Sequence, residues 1–274
     1  PQGLLEKHLR TGKIKLNKKK VKSSFKVKTK DEINIFNIKF KETIQQKKIK
    51  FLPSKEIIKS NEDQIIDNND NFVVLNKASG ISVQGGTKSK KNLVDIFAKS
   101  EIFEGTKPYS VHRLDKDTSG VFIIAKNRNS AQIFGNLFKS RLIEKKYLAI
   151  CEGKPRLRES NIELNIKNKL EKIEKTKTYF KLLNNTNNLS LILFKPLTGK
   201  THQLRIVSKN LTCPIIGDKK YNNQSKFKKE ILKLNAHYLK FTYNNYDYQF
   251  SSLLPSDFVI FMKKNKIKYL KIEA

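Results

Sequence analysis

The sequence predicts an α+β protein: a large antiparallel or mixed β-sheet domain with peripheral helices, preceded by a small N-terminal α/β module. Three observations carry this expectation. Short β-rich runs recur between Phe72 and Tyr243, helical patterns among them are few, and strict β-α-β alternation is missing. The length of 274 residues exceeds one typical domain of about 100 to 200 residues, so a main domain with an appendage fits. Strands are expected at 72–76, 121–126, 147–152, 177–183, 189–194, 203–207 and 237–243, and helices around 93–100, 130–139 and 227–234.

The N-terminal module is placed at residues 1–44. Leu4, Leu5, His8 and Leu9 have a helical period, Gly12 supplies the stop, and alternating strands follow at Ile14, Leu16, Val21, Ile33 and Ile35. Lysines at 13, 15, 18, 19, 20, 22, 26 and 28 give this unit a dense positive surface, suited to a phosphate backbone or simply solvated. Residues 45–62 are polar, contain Pro53 and show no clean period, which marks a linker. Residues 63–274 form the main domain, and no internal repeat is present.

Lys and Arg total 57 against 25 Asp and Glu, a formal net charge of +32. Such an excess favours a polyanionic partner through counterion release. The bias toward Lys, Asn and Ile is also what an A/T-rich genome imposes on any protein, so charge alone leaves RNA, DNA and anionic membrane open. Apolar runs such as Val121 to Ala125 have strand length, far short of a membrane span, and the start has no apolar block of a signal peptide. Cys151 and Cys213 have no metal-ligand or disulfide-framework spacing. A soluble cytoplasmic monomer, with no membrane association and no metal, is expected.

The densest polar cluster is HRLDKDTSG, His112 to Gly120, just before an apolar strand. Asp115 and Asp117 could be half of a metal site, one side of a glycosidase pair, a single nucleophilic or basic carboxylate, or members of a turn. A second cluster, PLTGKTHQLRI from Pro196 to Ile206, contains Gly-Lys-Thr, but Phe194 stands where a P-loop needs its first glycine. Read as a strand, it presents Thr201, Gln203 and Arg205 on one face and His202, Leu204 and Ile206 on the other. An arginine there needs a carboxylate or a phosphate beside it, and Asp115 is a candidate. A third cluster, NKASGISVQGG from Asn76 to Gly86, adds Lys77 after a buried strand.

In this order, NFVVLNKASGISVQGG, HRLDKDTSGVFIIAKN, EKKYLAI and PLTGKTHQLRI followed by CPIIGDKKY resemble the RluA-type pseudouridine synthases over roughly residues 65 to 243. The N-terminal PQGLLEKHLRTGKIKLNKKKVK is similar to the small ribosomal-protein-type RNA-binding module that often precedes that domain. The resemblance implies catalytic Asp115, Tyr147 stacking under the uracil, and Arg205 paired with the aspartate. It implies Arg113 as the side chain that replaces the flipped base, with His112, Ile206 and Lys77 from the same motifs expected at the substrate. No cofactor is implied, since the substrate is only rearranged. The implied partner is RNA, and the resemblance is closer to the branch acting on large-subunit (23S) ribosomal RNA than to the transfer-RNA branch; the alternatives are the same reaction on transfer RNA and a catalytically silent RNA-binding assembly factor. Val207 and Cys213 stand where many relatives have histidine.

Overall fold

The computed structural model describes residues 2–38, 51–85, 91–168 and 170–269. The chain divides into two compact units, Pro1–Ile49 and Lys50–Ala274.

In the first unit, helix α1 (Gln2–Arg10) leads into strands β1 (Ile14–Leu16) and β2 (Ile33–Ile35), which pair antiparallel. Gly12, at φ +71°, ends the helix, and Lys7, His8 and Arg10 occupy its negative last turn. Val21 lies in no strand; the chain between β1 and β2 is instead tied by the Asn17 side chain, which donates to Asp31 and accepts from the Glu32 N–H.

The second unit opens with helix α2 (Lys55–Glu62), where the sequence pattern predicts a linker. Pro53 and Ser54 start the helix rather than break it, with the Ser54 hydroxyl accepting from the Ile57 N–H. Two turns with few apolar residues carry too little periodicity to read.

Ten strands then form one sheet: β3 (Ile65–Asn68), β4 (Phe72–Lys77), β5 (Tyr109–Ser110), β6 (Ser119–Ala125), β7 (Glu144–Glu152), β8 (Glu159–Lys167), β9 (Ile173–Thr186), β10 (Leu189–Pro196), β11 (Leu234–Tyr243) and β12 (Tyr246–Ser251). The main path runs β3-β4-β6-β11-β7-β10-β9-β8, with β5 on β6 and β12 on β11. All pairings are antiparallel except β6 with β11, which joins the two halves. Asn187-Asn188 and Asn244-Asn245, all at positive φ, turn the hairpins β9-β10 and β11-β12, as two-residue hairpin loops require. Helices α3 (Leu93–Phe97), α4 (Arg128–Lys139), α5 (Gln203–Asn210) and α6 (Ser256–Lys264) complete the unit.

Both faces of the central strands are covered, which explains their unbroken apolar runs. On β6, Val121, Ile123 and Ala125 enter one core cluster and Phe122 and Ile124 the other. On β10, Ile192 and Phe194 face one cluster and Leu191 and Leu193 the other.

Two further expectations are corrected. Residues 203–207 are the start of helix α5, not a strand: the buried set Gln203, Leu204, Val207 and Ser208 has helical spacing, and a five-residue alternation cannot distinguish the two. Residues 227–233 form no helix, and Leu234 already begins β11.

Candidate active site

Asp115 lies in the loop between β5 and β6, which β4 and its following turn hold in place. The Asp115 carbonyl accepts from the Thr118 N–H at 3.1 Å, closing a tight turn. The Lys77 ammonium, at the end of β4, donates to the carbonyls of Thr118 (2.7 Å), Ala78 (2.9 Å) and Lys116 (3.1 Å). The Ser79 hydroxyl donates to the Asp117 carbonyl and the Gly80 N–H to that of Lys116. Burial pushes Lys77 down to about 7, against the pull of Asp117 and Asp115. The sequence expectation of Lys77 at the substrate is thereby corrected: its three donors are spent on the backbone beneath the Asp115 loop.

A cavity of about 440 Å³ opens over Asp115 and is lined by Arg113, Tyr147, His202 and Arg205 among others. Arg205 projects from the first turns of α5. Its Nε and Nη2 donate to the two carboxylate oxygens of Asp218, each at 2.7 Å, and its Nη1 stands 3.7 Å from Oδ2 of Asp115. The expected pairing of Arg205 with Asp115 is present, but its closer partner is Asp218, a residue that the sequence pattern alone does not single out. Bidentate contact of this kind fixes the guanidinium plane. Burial opposes the charge on Asp218, but the Arg205 hydrogen bonds and the Tyr221 and Lys220 N–H groups outweigh it and hold its pKa below the usual range. Burial likewise opposes the charge on Arg205, and Asp218 and then Asp115 overcome it.

Tyr147, on β7, lines the same cavity; burial and then the Asp115 charge raise its pKa, so the ring carries a protonated hydroxyl. Exposed Arg113, Lys139 and Arg141 and half-buried Lys145 and Lys200 line the same cavity and give it a strongly cationic wall. His112 lines the wall but is committed to it. Its ring lies between Phe122 and Phe138, its Nε2 accepts from the Ile123 N–H at 3.0 Å, and burial pushes its pKa down to about 3. Ile206 does not line the cavity; its turn of α5 points Arg205 there instead. Of the two expected substrate contacts, His112 reaches the cavity as part of its wall, while Ile206 is corrected to a supporting position.

His202, read from sequence as part of an apolar face, caps α5 in the left-handed region at φ +56° and reaches the cavity. Its Nε2 lies 3.8 Å from Oδ2 of Asp115 and its Nδ1 3.1 Å from the Tyr221 hydroxyl. The Tyr221 ring sits under the Arg205 guanidinium, 5.2 Å from centroid to Cζ. Both members of this brace, Asp218 and Tyr221, fall in the stretch GDKKY, which closes the motif CPIIGDKKY without marking either residue for a role.

A family model described as RNA pseudouridylate synthase matches residues 71–210, a span holding Asp115, Tyr147 and Arg205. The chain belongs to the RNA pseudouridylate synthase family. It is thus an isomerase that converts uridine to pseudouridine in RNA. A relative from Rickettsia bellii, named ribosomal large subunit pseudouridine synthase C, is 40% identical over 237 residues, covering 81% of this chain and 78% of that protein. One of the same name from Buchnera aphidicola is 32% identical over 235 residues, covering 82% and 73%. Among solved structures, human RNA pseudouridylate synthase domain containing 4 superposes with a TM-score of 0.68 at 25% identity, over 77% of this chain and 96% of that one. No helix among the described residues is long and apolar enough to cross a membrane.

Proposed function

We propose that this pseudouridine synthase acts on large-subunit (23S) ribosomal RNA, with Asp115 as the group that attacks the nucleoside or removes a ribose proton. The observation that carries the catalytic assignment is a single half-buried carboxylate in a cation-lined cavity, with Arg205 beside it. The substrate class is supported by the names of the relatives from Rickettsia and Buchnera.

A base stacked in a helix cannot be reattached through its other edge, so the uridine must leave the stack. The bond from the ribose to N1 breaks, one to C5 forms, C5 loses its proton and N1 gains one, with no net redox change. Tyr147 offers an aromatic face for the extruded uracil, and exposed Arg113 is long enough to fill the vacated stack. The wall cations hold the flanking phosphates.

Residues 2–38 serve as a backbone-binding unit, supported by their lysine density. Action in a reducing cytoplasm fits the two buried free cysteines.

The test is Asp115→Asn, which keeps shape while removing the nucleophile or base. Pseudouridine formation should fall by at least about 100-fold with RNA affinity retained. Turnover near the wild-type rate would rule Asp115 out. Mapping pseudouridines in ribosomal RNA from cells with and without the protein checks the substrate: sites vanishing only from transfer RNA would overturn it.

A further inference from the structure

We propose that His202 is a positioning residue that, together with Arg205, holds one oxygen of Asp115 and leaves the other to meet the uridine, and that Tyr221 fixes the His202 tautomer this requires. The inference rests on the reading of Asp115 as the reacting group.

The nearest approaches of both side chains to Asp115 fall on the same oxygen. Arg205 Nη1 at 3.7 Å and His202 Nε2 at 3.8 Å both approach Oδ2. These separations exceed a hydrogen bond but lie within ion-pair reach, and contacts of this kind shorten in the reacting complex. A carboxylate gripped through one oxygen by two donors can turn only about that oxygen, so the free one is presented at a fixed angle.

His202 can donate from Nε2 as a neutral imidazole only if Nδ1 carries no proton. The Tyr221 hydroxyl stands 3.1 Å from Nδ1 and can donate to it, which selects that tautomer. Burial, the largest influence, lowers the His202 pKa; Asp115 opposes it, and Arg205 and Lys220 add to it, so the ring faces Asp115 uncharged.

The turn 218–221 ties both donors together. Asp218 locks Arg205, while its Oδ1 also accepts the N–H groups of Lys220 and Tyr221 and so places the tyrosine. His202 holds a left-handed backbone conformation outside glycine, an arrangement that costs energy and is retained here where its ring reaches the carboxylate.

Single-turnover rates and RNA affinity are to be measured on the full chain, with total RNA from cells lacking the enzyme. His202→Ala should slow the chemical step by about tenfold or more at nearly unchanged affinity, and His202→Gln, which keeps a donor at similar reach, should recover most of the rate. Tyr221→Phe should give an intermediate loss. In 15N spectra of histidine-labelled protein, with His202 assigned by its absence from the Gln variant, wild type should show the proton on Nε2 and Tyr221→Phe a mixture of tautomers.

Wild-type rate in a folded His202→Ala protein while Asp115→Asn is inactive would overturn the proposal and leave the Asp115 reading intact. So would a tenfold loss in His202→Gln, or an unprotonated Nε2 in wild type. If His202→Ala does not fold, the Gln rate and the tautomer decide. An active Asp115→Asn protein would overturn both readings together.

Discussion

At the scale of single residues, the site separates groups that face the uridine from groups that hold them, and the two sorts should fail differently. Arg205 spends its fork on Asp218 and only its remaining edge on Asp115. Arg205→Lys keeps the charge but can make only a point contact, so Asp115 and Asp218 can no longer both be served in one geometry. The expected result is a fall in kcat of about tenfold or more with RNA affinity within about twofold. Equal losses in both would assign Arg205 to RNA binding instead. Lys77 belongs to the holding sort. Lys77→Met fills similar volume but takes the ammonium from the carbonyls of Ala78 and Thr118, at about 1 kcal/mol or more for each left without water, while the Lys116 carbonyl keeps the Gly80 N–H. Urea denaturation should show a loss on the order of 2 kcal/mol, together with slower turnover as the Asp115 loop loosens. Unchanged stability would mean that water replaces the ammonium.

Among elements, the junction of β6 with β11 decides whether a site exists at all, because Asp115 precedes one strand and Tyr147 lies on the neighbour of the other. Gly120 makes that junction possible. It sits at φ +112°, and a Cβ there would stand 2.2 Å from the Ala236 carbonyl oxygen. Gly120→Ala must therefore part the two strands or shift β6, costing on the order of 3 kcal/mol or more. Thermal unfolding would measure it, and a variant as stable as wild type would show that the junction can open freely. Nothing local in the sequence marks Gly120 as more than a strand-edge glycine, since its neighbour Ala236 is remote in the chain. The same limit explains what else is legible. Strands β4, β6 and β10 are readable because both faces are buried and the apolar runs are continuous. Asp115 and Arg205 are readable because their motifs resemble a family. Strand β8, whose exposed and half-buried residues alternate at the sheet edge, and helix α5, whose first five residues mimic an alternating strand, are not. Asp218 and His202 escape because their roles come from contacts that only the closed sheet creates.

For the whole molecule, a net charge of +32 governs both partner and stability. Changing Lys13, Lys19, Lys22 and Lys26, all in the first unit, to Gln should lower the slope of log affinity against log salt by about 0.7 to 0.9 for each phosphate that is no longer neutralised, without altering the rate of bound RNA. An unchanged slope would assign that charge to a solvated surface. A chain already this positive is also badly placed to accept more protons, and three of its four histidines are held neutral. Burial pushes His112 down to about 3 and His237 to about 4, and lowers His202 as well. Unfolded histidines titrate near 6.5. Between that value and the folded ones the unfolded chain binds more protons, so stability is complete above pH 6.5 and is lost as pH falls toward 4. His112 and His237 should each contribute about 1 kcal/mol of loss between pH 6.5 and 5.5, above the range where most carboxylates titrate. Urea midpoints across that interval are the check. His112 should dominate the low end, because its Nε2 accepts the Ile123 N–H and protonation would turn an acceptor into a donor against a buried strand. A midpoint that stays flat from pH 7 to 5 would mean that these rings reach water before they protonate, and that the wall behind Asp115 opens more readily than its packing between Phe122 and Phe138 implies.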